Sequence, residues 1–271
     1  MKPEDNPAVS PIQTEDASWT AYSPVYHETF HSIGGAQEEC EIIFWQGSQI
    51  AEKWQAFAQA SAFKMLEVGF GLGLNWQTLQ KHWQAQASQD LVPSLVQYHA
   101  LEKDTALIKA TAHQLNLPLT WVAQDDGNDN DGGHDLGHWF FAQTMGHKTL
   151  QLLIWPGDAR QVLPKIAPHL TPCQAIWQDA FSPQHNLELW TWQWFKELAQ
   201  ICDPTAIVAT YSSATPVRLA MQKAGFNVAA RPASKRKKSS TIAALSGIWD
   251  AALAHKLATS PLKPYDDQDL H

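Results

Sequence analysis

The chain has 271 residues, enough for one α/β domain with additions or for two small domains, and we expect one main domain. Its 19 basic and 27 acidic residues give a formal charge of −8. That balance argues against broad non-specific nucleic-acid binding but leaves room for a local basic cluster.

Two further classes of protein are disfavoured by composition. No window approaches the roughly 20 apolar residues that a membrane helix needs, and the N-terminus lacks the apolar run of a signal peptide. We therefore expect a cytoplasmic protein that is not attached to a membrane. Cys40, Cys173 and Cys202 are far apart and odd in number, so neither a zinc site nor a disulfide framework is predicted.

Pattern and composition divide the chain into four parts. Residues 1–18 are polar, contain three prolines and predict a disordered arm. Residues 19–60 predict a small N-terminal extension of short β-strands around a glycine turn, with a helix entering at Ser48. Residues 61–248 carry the main domain, and residues 249–271 are predicted to form a polar, extended tail.

The main domain begins with a strand, a glycine turn and a helix. In "MLEVGFGLGLNWQTL" the apolar run Phe63–Val68 predicts a buried strand, and Leu74–Trp83 has near-helical apolar spacing. A second strand, "LVQYHALEKD", is followed by the helical segment "TALIKATAHQLN". This alternation predicts an α/β fold, Rossmann-like, with a mostly parallel, doubly wound sheet.

An insertion is predicted in the middle of the main domain. Residues 124–135, "QDDGNDNDGGHD", predict an exposed loop, and their acids lack the ligand order of a calcium loop, so no metal is expected. The segment "HWFFAQTMGHKTLQLLIWPGD" predicts two strands joined at Gly146 and His147, which is a β-hairpin.

The glycine turn indicates a nucleotide-like ligand, although a tight turn without a ligand is the alternative. Gly69, Gly71 and Gly73 let the backbone approach a ligand at the switch point of the sheet. The third glycine comes one position early for a dinucleotide fingerprint, which makes an NAD-dependent dehydrogenase a weaker interpretation. Glu67 suits a cationic or hydroxyl-bearing ligand without phosphate, which favours S-adenosylmethionine, and Glu102 is placed to accept its ribose hydroxyls.

Six blocks of sequence, in order, resemble one known family. They are "YHETFHSIGGAQEE", "EVGFGLGLNW", "ALEKD", "PGDARQVLP", "DAFSPQHNLELW" and "ATYSSATPVRLAMQKAGFNV", and together they span roughly residues 22–246. The family is the methyltransferase domain of the bacterial tRNA 5-methylaminomethyl-2-thiouridine biosynthesis proteins, of the MnmC type and its stand-alone MnmD-like relatives.

The resemblance implies a class I methyltransferase fold, S-adenosylmethionine as the methyl donor, and the 5-aminomethyl group of a tRNA wobble (2-thio)uridine as acceptor. The product would be 5-methylaminomethyl-(2-thio)uridine. Bifunctional members of the family continue into an FAD-dependent oxidoreductase domain, and since this sequence ends at His271 we expect that second activity to be absent.

The expected cofactor-binding residues come from three strand ends. We expect Glu67, the three glycines and Asn75 to hold the methionine part, Glu102 the ribose, and Asp158 with Ala159 the adenine edge. The full set is Glu67, Gly69, Gly71, Gly73, Asn75, Glu102, Lys103, Asp158 and Ala159. The alternative for Asp158 is a turn aspartate after Gly157.

Asp179 is the expected catalytic residue. At the end of "AIWQDAFSP" it is expected to orient the substrate amine and stabilise the positive charge that develops during methyl transfer. A carboxylate also raises the pKa of an amine, so we expect positioning to be its first task and base catalysis its second. The wall around the uridine is expected to comprise Phe181, as a stacking residue, Ser182, Pro183 and Asn186.

A basic cluster is expected to contact the tRNA anticodon loop. Lys235, Arg236, Lys237 and Lys238 stand close together in an otherwise acidic protein, with a solvated loop as the alternative. His31, in the N-terminal block, is expected to be structural, while that block closes over the active site. Two other functions stay open: methylation of another amine or of a protein, and a non-catalytic S-adenosylmethionine- or RNA-binding module.

Overall fold

The computed structural model describes residues 10–58, 62–123, 137–233 and 239–270. Within them the strands are β1 (Ser10–Gln13), β2 (Trp19–Ser23), β3 (Glu28–Thr29), β4 (Phe63–Val68), β5 (Leu95–Glu102), β6 (Thr120–Ala123), β7 (Gly137–Met145), β8 (Lys148–Pro156), β9 (Cys173–Gln178), β10 (Cys202–Thr210), β11 (Asn227–Arg231) and β12 (Ser240–Ala244). The α-helices are α1 (Ala36–Glu39), α2 (Ile50–Ala56), α3 (Leu74–Ala87), α4 (Thr105–Gln114), α5 (Ala159–Leu170), α6 (Trp192–Ile201), α7 (Thr215–Lys223) and α8 (Ala251–Ala258). A π-helical segment, Cys40–Gln46, continues α1.

The main sheet has nine strands among the described residues, in the order β11-β12-β10-β9-β4-β5-β8-β7-β6. Strand β4 lies between β5 and β9 and is parallel to both, and β8 and β10 extend the parallel part on either side. Strand β12 is antiparallel to its neighbours β10 and β11. The carboxyl ends of β4, β5, β8 and β9 therefore meet at one edge, which is where open α/β sheets bind ligands. The predicted mostly parallel α/β sheet is confirmed.

Helices cover both faces of this sheet. Phe63 and Met65 of β4 belong to the core cluster that contains the α3 side chain Trp76. Leu66 and Val68 belong to the opposite cluster, which contains side chains of α5 and α6. Alternate strand residues thus face opposite layers, as a strand buried on both sides requires.

The predicted hairpin is confirmed. Strands β7 and β8 pair antiparallel with Met145 opposite Lys148, and the turn between them is Gly146 and His147. Strand β6 adds to the outer edge of β7. The predicted exposed loop 124–135 lies outside the described residues.

The N-terminal arm and the N-terminal extension each differ from their prediction in one place. Ser10–Gln13, inside the predicted disordered arm, forms a strand that pairs antiparallel with β2. The apolar run after Gly35 is helical instead of a set of strands, with the short β3 preceding it. Its buried side chains Cys40, Ile43 and Phe44 recur at helical spacing, and a short apolar run does not reveal by itself which period it follows.

The C-terminal residues are also more ordered than the predicted extended tail. Leu253 and Leu257 of α8 are buried in the core, so this segment contributes apolar packing. After α8, Asp267 accepts two hydrogen bonds from the guanidinium of Arg160, with N–O distances of 2.9 and 2.6 Å. The Trp192 indole donates to Asp266 at 2.7 Å.

The boundaries between the domains stay a prediction. Within the described residues, no helix has the length and apolar character to cross a membrane.

Candidate active site

The glycine turn after β4 brings two strand ends together. Gly69 has φ +93°, and a Cβ on it would lie 2.8 Å from the backbone oxygen of Asp179. Gly71 has φ +52°, and its Cβ would lie 3.1 Å from the ring of Phe30. These positions need glycine both for the positive φ and for the close approach of neighbouring groups. The conformation of this turn therefore depends on the groups packed against it as well as on its own glycines.

A cleft of about 700 Å³, its open mouth included, lies beside this turn. We call it the first cleft. The residues predicted for the site that line it are Gly69, Gly71, Glu102, Lys103, Asp158, Ala159, Asp179, Phe181 and Asn186. Ser182 and Pro183 are outside its lining. The carboxyl ends of four strands, β4, β5, β8 and β9, thus meet around one space.

The acidic residues at the ends of β5 and β8 are held in place by hydrogen bonds. Glu102 accepts the Gly71 N–H and the Asp104 N–H, each at 2.9 Å, and burial raises its pKa. Asp158 is the N-cap of α5, where it accepts the Arg160 N–H at 3.1 Å, and it lies 3.3 Å from Lys103 Nζ. Asp158 thus has a local structural role after Gly157, as the alternative interpretation expects, here as a helix cap. It also lines the cleft.

Three predicted cofactor-binding residues lie behind the cleft wall. Glu67 is fully buried, and Asn75 Nδ2 donates to Glu67 Oε1 at 2.8 Å and to Asp179 Oδ2 at 2.7 Å. A Cβ on Gly73 would lie 2.8 Å from Leu115, so this glycine permits α3 and α4 to pack closely. Glu67, Gly73 and Asn75 are outside the lining of the cleft, and their predicted contact with a cofactor stays a prediction. The side chain of Glu67 lies under the glycine turn, where it accepts a hydrogen bond from Asn75.

Burial changes the protonation of Glu67. Removal from water raises its pKa to about 8, with the Tyr98 hydroxyl and Asn75 acting in the opposite direction and Glu102 adding a smaller increase. At neutral pH this carboxyl group is therefore largely protonated. The side chains beneath the glycine turn form a nearly neutral layer next to Asp179.

The N-terminal extension covers the site. Tyr26 stacks on Phe181 with ring centroids 4.2 Å apart and an interplanar angle of 16°, and Phe30 lies 5.0 Å from Phe181. Glu28 accepts the Ser182 N–H at 3.0 Å. Tyr26 and His31 line the first cleft, in accordance with the expected closure by this block. Tyr26 thus covers one face of Phe181, and the stacking of this ring on a base stays a prediction.

A second cleft, of about 760 Å³ with its mouth, adjoins the first. The two share Phe30, His31, Asp179, Ala180 and Phe181. His31 Nδ1 lies 4.0 Å from Asp179 Oδ2.

Four residues of the second cleft were not predicted from the sequence: Phe30, Glu28, Glu39 and Tyr211. The first three belong to the block "YHETFHSIGGAQEE", one of the blocks that carry the resemblance. The basic residues Lys235, Arg236, Lys237 and Lys238 lie outside the described residues.

The second half of the main domain is similar to a known family. Residues 137–246 match a family model described as S-adenosyl-L-methionine-dependent methyltransferase. This part of the chain resembles S-adenosyl-L-methionine-dependent methyltransferases. The match confirms the predicted cofactor and, with the sheet order above, the predicted class I methyltransferase fold.

Curated relatives and a solved structure agree with this assignment. The tRNA 5-methylaminomethyl-2-thiouridine biosynthesis bifunctional protein MnmC of Burkholderia mallei (strain SAVP1) is 31% identical over 217 residues, which cover 76% of this chain and 31% of the relative. The protein of the same name from Burkholderia thailandensis is 32% identical over 219 residues, with the same coverage. The chain thus spans about a third of the length of these relatives.

The crystal structure of MNMC2 from Aquifex aeolicus has a TM-score of 0.72 and 24% identity, and the match covers 98% of this chain and 82% of that one. It supports the fold. The resemblance that the six sequence blocks carry is confirmed by the curated relatives.

The first cleft fits S-adenosylmethionine on its own geometry. At Gly71 a Cβ would intrude toward Phe30, so the glycine keeps this part of the cleft open. Four carboxylate residues line it beside one lysine, Lys103: Glu102, Asp158, Asp179 and Glu188. That donor set suits hydroxyl and amino groups better than it suits a phosphate.

Proposed function

We propose that this methyltransferase methylates the amino group of 5-aminomethyl-(2-thio)uridine at the wobble position of tRNA, giving 5-methylaminomethyl-(2-thio)uridine. The relatives are named for the biosynthesis of that nucleoside. The observation that carries the proposal is the position of Asp179, which lines both clefts. A carboxylate at such a junction can orient an amine toward a methyl donor. The substrate implies a cytoplasmic enzyme.

The cofactor would be held by the residues that line the first cleft. We assign the methionine part to the backbone of Gly69 and Gly71, the ribose to Glu102, and the adenine edge to Asp158 and Ala159. When bound there, S-adenosylmethionine supplies a methyl group that is already activated by its positive sulfur. The protein therefore has to align two ligands and exclude water, which is a positioning task.

Asp179 would hold the amine and help to remove its proton. In the transfer, the nitrogen lone pair would form the new N–C bond as the C–S bond of the donor breaks, and the electron pair of that bond would stay on sulfur. The amine must therefore be neutral when it attacks, and the proton it carries in water has to leave first. A carboxylate stabilises both the incoming ammonium and the positive charge that develops on nitrogen. Asn75 keeps the Asp179 carboxylate in its place.

Recognition of tRNA would need a positive surface near the clefts. Lys235, Arg236, Lys237 and Lys238 form a basic cluster in the sequence. In the anticodon loop, bases are already partly unstacked and enter a pocket at modest energetic cost, while basic side chains neutralise phosphates. We assign this cluster to the loop phosphates, and Phe181 with Asn186 to the uridine itself.

The direct test is methyl transfer to tRNA isolated from a strain that lacks this protein. With labelled S-adenosylmethionine, we expect label in tRNA and a new methylaminomethyl uridine on nucleoside analysis. Asp179→Ala should reduce turnover strongly and leave cofactor affinity nearly unchanged. Absence of label from tRNA, with cofactor binding established by calorimetry, would overturn the proposal in favour of another amine acceptor or a non-catalytic role.

A further inference from the structure

The second cleft is an open space that leads to the proposed reaction centre at Asp179 by a different route from the first cleft. It meets the first cleft at His31, Asp179 and the aromatic ring of Phe181. The cofactor residues assigned above, Glu102 and Asp158, line the first cleft and not the second. A second ligand would therefore reach Asp179 through this space without crossing the cofactor.

The chemical character of this second cleft is acidic. Glu28, Glu39 and Asp179 line it, and none of its twelve described lining residues is a lysine or an arginine. Glu39 is 3% exposed, and its Oε2 accepts the Ser32 N–H at 3.0 Å, so its carboxylate is anchored. Tyr211 packs among these acids, and its pKa is raised by burial and by the charges of Asp179, Glu28 and Glu39. The space favours a cation over a neutral or anionic ligand.

We propose that the second cleft binds the acceptor as a primary alkylammonium ion, and that Glu39 binds this ammonium together with Asp179. The inference rests on the proposed function and deepens it, because it names the form in which the acceptor enters and the residue that selects it. Glu39 makes the site discriminate an aminomethyl group from a hydroxymethyl group of nearly the same shape.

The order of events follows from charge. An alkylammonium ion enters because three carboxylates attract it, and hydrogen bonds to charged partners are stronger than those between neutral groups. One N–H bond then breaks and its proton passes to a carboxylate of the cleft. The freed lone pair is left on a nitrogen that Asp179 and Glu39 hold beside the first cleft. The proton leaves to solvent through the open mouth of the second cleft.

The test compares Glu39→Gln with Glu38→Gln, which removes the same charge one residue earlier and outside both clefts. Glutamine retains an oxygen for the Ser32 N–H, so we expect Glu39→Gln to fold. We expect Glu39→Gln to raise the KM for tRNA by about tenfold or more, the equivalent of one charge-assisted hydrogen bond. The Kd for S-adenosylmethionine should stay unchanged, and Glu39→Asp should restore part of the loss.

A second measurement uses nucleosides as probes, so that it does not depend on catalysis. 5-Aminomethyluridine and 5-hydroxymethyluridine are titrated calorimetrically into protein saturated with S-adenosylhomocysteine. We expect wild type and Glu38→Gln to prefer the amine, and Glu39→Gln to lose most of that preference. Equal preference in all three proteins, or equal KM values for tRNA, would overturn the role of Glu39. If wild type transferred no methyl to tRNA while the Glu39-dependent preference persisted, the proposed function would fail and the ammonium site would stand.

Discussion

Asn75 Nδ2 lies 2.7 Å from Asp179 Oδ2 and 2.8 Å from Glu67 Oε1. Both hydrogens of one amide group are thus used to hold two carboxyl groups that are far apart in sequence. Asn75 lies in the first turn of α3, directly after the glycine turn, so the helix places its amide at the end of β9. The orientation of Asp179 depends on this side chain.

Replacement of Asn75 by alanine should reduce kcat more than it weakens cofactor binding. Without the amide, Asp179 is free to rotate, and a misplacement of about 1 Å can cost up to about a hundredfold in rate. The unfolding free energy should also fall by about 1–3 kcal/mol, since buried acceptors lose their donor. Steady-state kinetics and calorimetry with S-adenosylmethionine measure both effects, with Gln77→Ala on the same helix as control. A large loss of cofactor affinity at unchanged kcat would instead restore Asn75 to the cofactor site.

Gly71→Val should abolish cofactor binding. Valine is strained at φ +52° and its side chain would occupy the space toward Phe30 at the cleft. Gly146→Val is a matched control, because Gly146 has φ +59° but a Cβ there meets no atom within 4 Å. Both variants should lose stability in thermal unfolding, and only Gly71→Val should lose binding in calorimetry. Wild-type affinity in Gly71→Val would refute the assignment of the glycine turn to the cofactor.

Glu67 should make the protein less stable as the pH rises. In the folded protein burial raises its pKa to about 8 from an ordinary value of 4.5, so the folded state binds a proton that the unfolded chain releases. The stabilisation from Glu67 is complete below pH 4.5 and is lost as the pH rises through 8, with a slope near 1.4 kcal/mol per pH unit between them.

Glu67→Gln mimics the protonated side chain and removes this titration. Urea unfolding of wild type and variant at pH 5, 6, 7 and 8 gives two curves whose difference isolates Glu67. We expect the stability of wild type relative to Glu67→Gln to fall steadily over this interval. A constant difference would mean that Glu67 is ionised throughout and is compensated by a neighbouring group.

Replacement of Lys235, Arg236, Lys237 and Lys238 by alanine should weaken tRNA binding and flatten its salt dependence. Each phosphate contact contributes roughly 0.7–0.9 to the slope of log K against log salt concentration, so four lost contacts should reduce it by about 3. Replacement of the exposed Lys256 and Lys263 is the control. Filter binding at several salt concentrations measures the slope. An unchanged slope would assign the cluster to an ordinary solvated loop.

Local pattern was sufficient for those parts of the protein whose neighbours in space are also neighbours in sequence. The strand Phe63–Val68, the glycine turn and the helix from Leu74 follow from apolar spacing and from the conformational freedom of glycine. The hairpin at Gly146 follows in the same way. Residues 36–46 were predicted wrongly, because a short apolar run is compatible with a strand or a helix and only packing against α3 decides between them.

The sequence by itself determined the class of fold, the cofactor and the strand ends that carry Glu102, Asp158 and Asp179. Only the tertiary structure decided which side chains face the clefts. Glu67 and Asn75 turned out to support Asp179 from behind, and Glu39 was brought beside Tyr211 from a distant part of the chain. The reason is physical. Strand and helix periods determine which residue types recur, whereas the direction of a buried polar side chain depends on the partner that compensates its loss of water, and that partner is supplied by another segment.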